Sequence, residues 1–259
     1  MLTSLQNPLV KQLRKLHRAK DRREQQLFLL EGTHLIEEAV AIEFPLITVC
    51  CTETWQTQHS ELLSQIQAER LELVSSEVLK AIATTVEPDG VVATANRFHT
   101  DSVEIKRFGL VLETIQDPGN LGTIIRTAAA AGVEGLWLSP DCVDLDNPKV
   151  LRSSAGQWFR LPMRVEANLS AQICRAKAEG MQIIATLPTA TNSYWDIDFR
   201  KPSLILMGNE GAGLSPQLRE LADLQVTIPL AVGVESLNVA IATALILYEA
   251  RRQLNAEDD

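Results

Sequence analysis

The sequence predicts an α/β protein of two units, and three observations carry that prediction. Short apolar runs alternate along the chain with stretches long enough and polar enough to be helices, which is the rhythm of α/β layers. The alternation is interrupted by the polar stretch from Arg97 to Lys106, which sets a first unit at 1–98, a linker at 99–107 and a second unit at 108–259. The composition is 46% apolar but only 5% aromatic, so Ala, Val, Leu and Ile must fill the core, and 259 residues suit two domains better than one.

The elements follow in order. Leu9, Leu13 and Leu16 recur at helical spacing, predicting an amphipathic helix from Pro8 to about Glu24. Leu27–Leu30 is a short apolar run stopped by Glu31-Gly32 and reads as a buried strand. A helix through His34–Ala39 comes next, then a strand at Leu46–Val49, a helix at Glu61–Glu69 and a strand at Leu71–Val74. A helix at Glu77–Ala83 and a strand at Val91–Ala95 complete a small α/β unit. In the second unit the apolar runs Leu110–Leu112, Leu136–Leu138, Ile183–Thr186, Leu204–Met207 and Val226–Ile228 are spaced for crossover helices. That spacing predicts parallel strands. A last helix, about Leu237 to Leu254, carries Ile241, Leu245 and Tyr248 on one stripe.

Several function classes drop out early. No run of about 18 apolar residues exists, so no membrane-spanning helix is expected. Met1-Leu2-Thr3-Ser4 lacks the basic start and apolar core of a secretory signal. Cys50, Cys51, Cys142 and Cys174 have neither C-x-x-C spacing nor a disulfide framework, and His17, His34, His59 and His99 are scattered. A cytoplasmic protein with reduced thiols and no metal is expected. The net charge of −9 argues against a nucleic-acid partner, yet the segment between Leu9 and Leu27 holds seven basic residues against Asp21 and Glu24. Such a patch fits either a solvated helix face or phosphate contacts.

Ligands of an open α/β sheet bind beyond the carboxyl ends of its strands, and three such ends are rich in glycine and polar residues. The first runs from Asp117 to Arg126, with Asn120 read as a helix cap and Gly122 four residues before Arg126 on one helix face. An ordinary strand–turn–helix with a surface arginine also fits it. The second, Met207 to Pro216, has three glycines in six residues, which let backbone groups approach a ligand, but it is not a dinucleotide fingerprint. The third joins Ile228-Pro229 to Ser236-Leu237-Asn238-Val239. Ser236 fits the cap of the last helix, which leaves Asn238 without a capping explanation.

Together, Asn120-x-Gly122-x-x-x-Arg126, Gly208-Asn209-Glu210-Gly211-x-Gly213 and Ile228-Pro229 with Ser236-Leu237-Asn238-Val239 resemble the three motifs of the SpoU (TrmH-like) family of RNA ribose 2′-O-methyltransferases. Asn147-Pro148-Lys149-Val150 and Arg152-Ser153-Ser154-Ala155-Gly156 resemble the family's intervening stretch. Phe28–Gly32 and Pro88–Val91 resemble its N-terminal substrate-binding domain. The resemblance implies a parallel sheet whose C-terminal segment forms a deep trefoil knot, a rare exception to the general absence of knots. It also implies a small N-terminal α/β domain like ribosomal protein L30e, a homodimer, and S-adenosylmethionine as cofactor. Gly208, Ile228 and Leu237, with Met207, Gly211 and Pro229 beside them, would line the cofactor site.

The implied reaction is methyl transfer to a ribose 2′-oxygen of RNA, most simply 23S ribosomal RNA, with tRNA as the alternative substrate. A non-catalytic RNA-binding protein of the same fold is an alternative from another class. By resemblance Arg126 is the base or the charge stabiliser. A free guanidinium keeps its proton, so stabilising a developing alkoxide is the easier role. Asn120 would fix the approach to Arg126, and Glu210 would orient the arginine by a charge-assisted hydrogen bond. Ser236 and Asn238 would position ribose or phosphate. Lys11, Arg14, Lys15, Arg18, Arg22 and Arg23 become expected RNA contacts, with no metal required.

Overall fold

Asn7 starts the first helix. Its side-chain oxygen accepts from the Leu9 amide at 2.9 Å, and Pro8 fills the first helical position, where no amide hydrogen is needed. The computed structural model describes residues 1–97 and 102–255. Helix α1 covers Pro8–Lys15, burying Val10 and Leu13, and the chain then turns at Leu16 before a second helix, α2, at Ala19–Gln25. The single helix expected from Pro8 to Glu24 is therefore two. The reason lies in the backbone carbonyls at the break. Nη1 of Arg22 donates to the carbonyls of Leu16 at 3.1 Å and His17 at 3.2 Å, which satisfies groups that a continuous helix would have bonded internally.

The strands and helices then follow as β1 Leu27–Glu31, α3 Thr33–Ala41, β2 Leu46–Cys51, α4 Glu53–Gln58, α5 Ser60–Gln65, β3 Ala68–Leu73, α6 Ser76–Ile82 and β4 Val91–Asn96. The sheet order is β1-β4-β2-β3. β4 is antiparallel to both β1 and β2, while β2 and β3 run parallel. Strand β3 begins inside the helix expected at Glu61–Glu69, because it is an edge strand with Glu69, Arg70 and Leu71 exposed. Its polar residues read as a helix face. The core of this unit joins Val10, Leu13 and Leu16 to Leu29, Val78, Ile82 and Val92.

The second series is β5 Phe108–Leu112, α7 Pro118–Ala131, β6 Gly135–Leu138, α8 Pro148–Ser153, β7 Met163–Val165, α9 Leu169–Ala178, β8 Gln182–Thr186, β9 Asn192–Ser193, β10 Ser203–Met207, α10 Pro216–Leu221, β11 Leu224–Thr227 and α11 Val239–Asn255. Seven parallel strands lie in the order β7-β6-β5-β10-β8-β11-β9. The parallel sheet inferred from the crossover spacing is present, with two short strands, β7 and β9, added. Central strands such as β5 and β10 are buried along their whole length, which explains why they read as uninterrupted apolar runs.

The chain divides into two compact units: Met1–Phe98 with Asp144–Phe159, and His99–Val143 with Arg160–Asp259. The expected linker at 99–107 falls partly outside the described residues. From Val103 onward it packs on the large sheet: Val103 and Ile105 are buried. Added Cβ atoms at Gly135 and Gly109 would lie 2.3 Å from their methyl groups, so glycine makes the room they occupy.

The segment Asp144–Phe159 belongs to the first unit. There Trp158 and Phe159 pack against Phe28 and Phe44, with ring centroids 5.0 to 6.4 Å apart. Arg152 donates to the buried Glu31 carboxylate at 2.6 Å. Asp144 accepts from Nη2 of Arg22 at 2.8 Å and from Arg97 at 3.2 Å, and Arg97 also pairs with Asp146. All four charges are nearly buried.

Candidate active site

The carboxyl ends of β5, β8, β10 and β11 all point to one edge of the large sheet, because the strands are parallel. A cavity of about 330 Å³ opens there. Its lining comes from all the predicted glycine-rich and polar loops but the first: Met207, Gly208 and Gly211 from the β10 end, Ile228 from the β11 end, and Ser236 and Leu237 before α11. Pro229, expected among them, is not part of the lining. Thr186, Leu187 and Pro188 at the end of β8 and Leu230, Glu235 and Ala242 are lining residues that the sequence reading missed. The strand-end rule that found the other loops applies equally to Thr186.

The β10 loop folds back on itself. Asn209 and Gly213 exchange two backbone hydrogen bonds at 3.0 and 2.9 Å, and a Cβ on Gly208 would lie 2.2 Å from the Gly213 backbone. No side chain fits at 208, so glycine is a condition of this turn. The Asn209 amide holds the turn from inside: its oxygen accepts from the Gly211 and Ala212 amides, both at 2.9 Å, and its nitrogen donates to the Thr114 carbonyl at 2.8 Å. The backbone amide of Ser215 donates to the Glu113 carboxylate at 2.7 Å.

Helix α7 begins at Asp117, whose carboxylate accepts from the Asn120 amide at 2.8 Å. Asp117 and not Asn120 is the cap, with Pro118 at the first helical position. Asn120 is thereby free to act through its side chain. Its nitrogen donates to Glu210 Oε1 at 3.1 Å and its oxygen accepts from Asn238 Nδ2 at 2.9 Å. Asn238 in turn accepts from the amides of Ala240 at 2.9 Å and Ile241 at 3.3 Å. It therefore caps α11, the role the sequence suggested for Ser236, which instead lines the cavity. A continuous chain of hydrogen bonds, Asn238 to Asn120 to Glu210, thus ties the three sequence motifs together.

Two expected roles need correction. Glu210 accepts from Asn120 and, at 3.3 Å, from Asn209; it makes no ion pair with Arg126. Among the described residues Arg126 has no hydrogen-bond or ion-pair partner, and it is exposed on α7. Arg22 is the second correction. It is 1% exposed, with Nη1 donating to two carbonyls and Nη2 to Asp144, so it is not open to a phosphate. Lys11, Arg14, Lys15, Arg18 and Arg23 are exposed. Among the described residues no cluster of His, Cys, Asp and Glu is arranged to hold a metal ion, and no helix is long and apolar enough to cross a membrane.

Comparison with known proteins fits this geometry. Residues 107–248 match the SpoU rRNA Methylase family, and residues 7–93 match an MRM3-like substrate binding domain. The chain is 52% identical to an uncharacterized tRNA/rRNA methyltransferase of Synechocystis over 97% of its length and 93% of the relative's. It is 35% identical to the 23S rRNA (guanosine(2553)-2′-O)-methyltransferase RlmP of Bacillus subtilis, over 96% of this chain and 98% of the relative. The crystal structure of an AdoMet-bound rRNA methyltransferase from Sinorhizobium meliloti superposes with a TM-score of 0.85 at 34% identity, covering 98% of this chain and 97% of that one.

Proposed function

We propose that this chain, which belongs to the SpoU rRNA Methylase family, transfers a methyl group from S-adenosylmethionine to a ribose 2′-oxygen of 23S ribosomal RNA. The observation that carries the reading is the relay from Asn238 through Asn120 to Glu210 at the mouth of a cavity built on the carboxyl ends of parallel strands. The naming of the Bacillus subtilis relative supports the ribose position and the ribosomal substrate.

The cavity suits the cofactor. Its volume of about 330 Å³ lies within the range for small-ligand sites. Lining residue Thr186 holds a buried hydroxyl with no partner among the described residues, the kind of group that a bound polar ligand satisfies. Met207, Gly208, Gly211, Ile228 and Leu237 would hold it. When bound, the cofactor supplies an activated methyl group on a sulfonium, so no metal is called for.

The chain's own residues supply the rest. A neutral hydroxyl is a weak nucleophile, and charge grows on the 2′-oxygen as its proton leaves. Arg126 carries a positive charge that no carboxylate among the described residues neutralises, so it can serve a developing alkoxide. Asn120, locked between Glu210 and Asn238, sets where the ribose rests, and Ser236 contributes a hydroxyl at the cavity wall. Residues 1–98 act as the RNA-recognising domain, with Lys11, Arg14, Lys15, Arg18 and Arg23 as phosphate contacts. Residues 108–259, apart from the Asp144–Phe159 segment that packs with the first unit, act as the catalytic domain, and 99–107 join the two. RNA and cofactor meet in the cytoplasm, where the reaction takes place in this reading.

Two further features of the resemblance find support. β11 lies beyond β8 from β10, and α11 comes back to pack on α7; that return suits a trefoil knot. The four-stranded mixed sheet with flanking helices suits an L30e-like domain. Ile241, Leu245 and Tyr248 are 39 to 52% exposed along one face of α11. An apolar stripe of this kind marks a protein interface, and we assign it to a second copy of the chain. Ile241→Glu should convert a dimer to a monomer in analytical ultracentrifugation; an unchanged mass rejects the assignment.

The deciding experiment maps ribose methylation across all cellular RNA with and without the protein. Loss at a site in 23S ribosomal RNA, restored by purified protein and S-adenosylmethionine, is the expected result. Loss confined to tRNA would favour the second reading, which the naming of the Synechocystis relative suggests. No loss anywhere would reject methyl transfer.

A further inference from the structure

Thr114 lies in the loop between β5 and α7 with a φ of +58°. A β-branched residue in the left-handed region is a conformational outlier, whereas glycine would sit there without strain. The neighbours show what holds it. Its hydroxyl donates to Asp141 Oδ2 at 2.7 Å, and its amide donates to the Ser139 hydroxyl at 2.8 Å. Ser139 donates in turn to the other carboxylate oxygen of Asp141. One residue on, the Ile115 amide donates to Cys142 Sγ at 3.3 Å, and the Val143 amide donates to the Ile115 carbonyl at 2.8 Å. The loop after β6 thus clamps the loop after β5.

The strained backbone has one outward consequence. It aims the Thr114 carbonyl at Asn209 Nδ2, 2.8 Å away. The same amide also reaches Glu210 at 3.3 Å and accepts from the Gly211 and Ala212 amides. An asparagine amide can make about four such bonds, and here all are used. Asn209 is the fastening of the Gly208–Gly213 turn, and three of its bonds stay inside that turn. Among the described residues, the Thr114 carbonyl is the one partner of the Asn209 side chain outside the turn.

We propose that Thr114 and Asp141 are positioning residues that act through Asn209 to hold the Gly208–Gly213 turn in its cofactor-binding shape. The inference rests on the reading of the cavity as an S-adenosylmethionine site. Neither residue lines that cavity; their effect passes through Asn209, which does. Strain at functional sites persists only where the surroundings over-determine it, and here a carboxylate and a serine do so for a loop that would otherwise relax.

The test compares Thr114→Val and Asp141→Ala, which lose the hydroxyl–carboxylate bond, with Thr114→Ser, which keeps it. Calorimetry of S-adenosylmethionine binding to the full chain should show roughly fivefold weaker binding for the first two, as expected for one lost hydrogen bond, and near wild-type binding for Thr114→Ser. In methyl transfer the loss should appear in KM for the cofactor and leave kcat at saturation within about twofold. Without cofactor, the Gly211 and Ala212 amides should exchange hydrogen faster in the two weakened variants. Unchanged affinity and exchange would overturn the proposal, as would an equal loss in Thr114→Ser or a fall in kcat at constant KM. Should Thr114→Val fail to fold, Asp141→Ala and Thr114→Ser decide the matter. If the wild-type chain binds no S-adenosylmethionine, the activity reading fails, while amide exchange still judges the positioning.

Discussion

Two polar clusters in this protein are built from similar groups and come to opposite ends. In the first unit Arg22, Arg97, Asp144 and Asp146 are withdrawn from solvent, and every charge meets an opposite one. At the edge of the large sheet, Asn238, Asn120 and Glu210 bind each other and Glu210 borders an open cavity, yet Arg126 on α7 is exposed with no partner among the described residues. A charge closed in by its neighbours has no capacity left for a ligand. One left unmatched at the surface keeps that capacity. The difference separates groups used up in holding the fold from groups left available to a ligand, and it does so independently of residue type, since each cluster includes an arginine.

The buried cluster depends most on Asp144. Replacing it with alanine leaves the buried Arg22 guanidinium without its counter-charge and Arg97 with Asp146 alone, and loss of one partner from a buried pair costs about 3–5 kcal/mol. Urea denaturation should show a loss of that size; a loss under about 1 kcal/mol would mean the cluster is not structural. Arg126→Ala should do the reverse. Methyl transfer should fall by roughly 100-fold or more while stability stays within about 0.5 kcal/mol, read by labelled methyl incorporation beside thermal melting. A variant that keeps its activity would remove Arg126 from the mechanism.

The basic face of α1 sharpens the contrast within one segment. Changing Lys11, Arg14 and Lys15 together to alanine should weaken RNA binding and lower the slope of log affinity against log salt by about 2. Arg22→Ala should leave that slope alone and lower stability instead. Filter binding over a salt series distinguishes them, and equal slopes in all three proteins would deny the helix any phosphate contact. The smallest effect belongs to Asp141. Hydrogen bonds from Ser139 and then Thr114 hold its carboxyl below the ordinary carboxylate range. Its contribution to stability is therefore present above the unfolded value and lost as pH falls through the lower folded value. The melting-temperature gap between wild type and Asp141→Asn should be constant near neutrality and close in acid.

Much of the large sheet was legible from the sequence because its central strands are buried on both faces and read as bare apolar runs. Strands β7 and β9 were not, being three and two residues long, too short for any period to register. Strand β3 was taken for helix because an edge strand keeps its charged residues. The site was legible as three loops, and their hydrogen-bonded connection was not. Sequence spacing says nothing of which of Ser236 and Asn238 turns inward, or that Asp117 takes the capping role and releases Asn120. Arg22 misled for the same reason: a run of basic residues looks uniform until the helix breaks and turns one of them inside.

The segment Asp144–Phe159 has a consequence for the birth of the chain. Arg22 and Arg97 are made well before Asp144 and Asp146, which must still be added to a chain growing at roughly 5–20 residues per second. For a few seconds the emerging N-terminal half holds two arginines destined for the interior whose counter-ions do not yet exist. Synthesis order and folding order therefore part company here, and the first unit to appear on the ribosome waits on a later stretch of sequence before it can close.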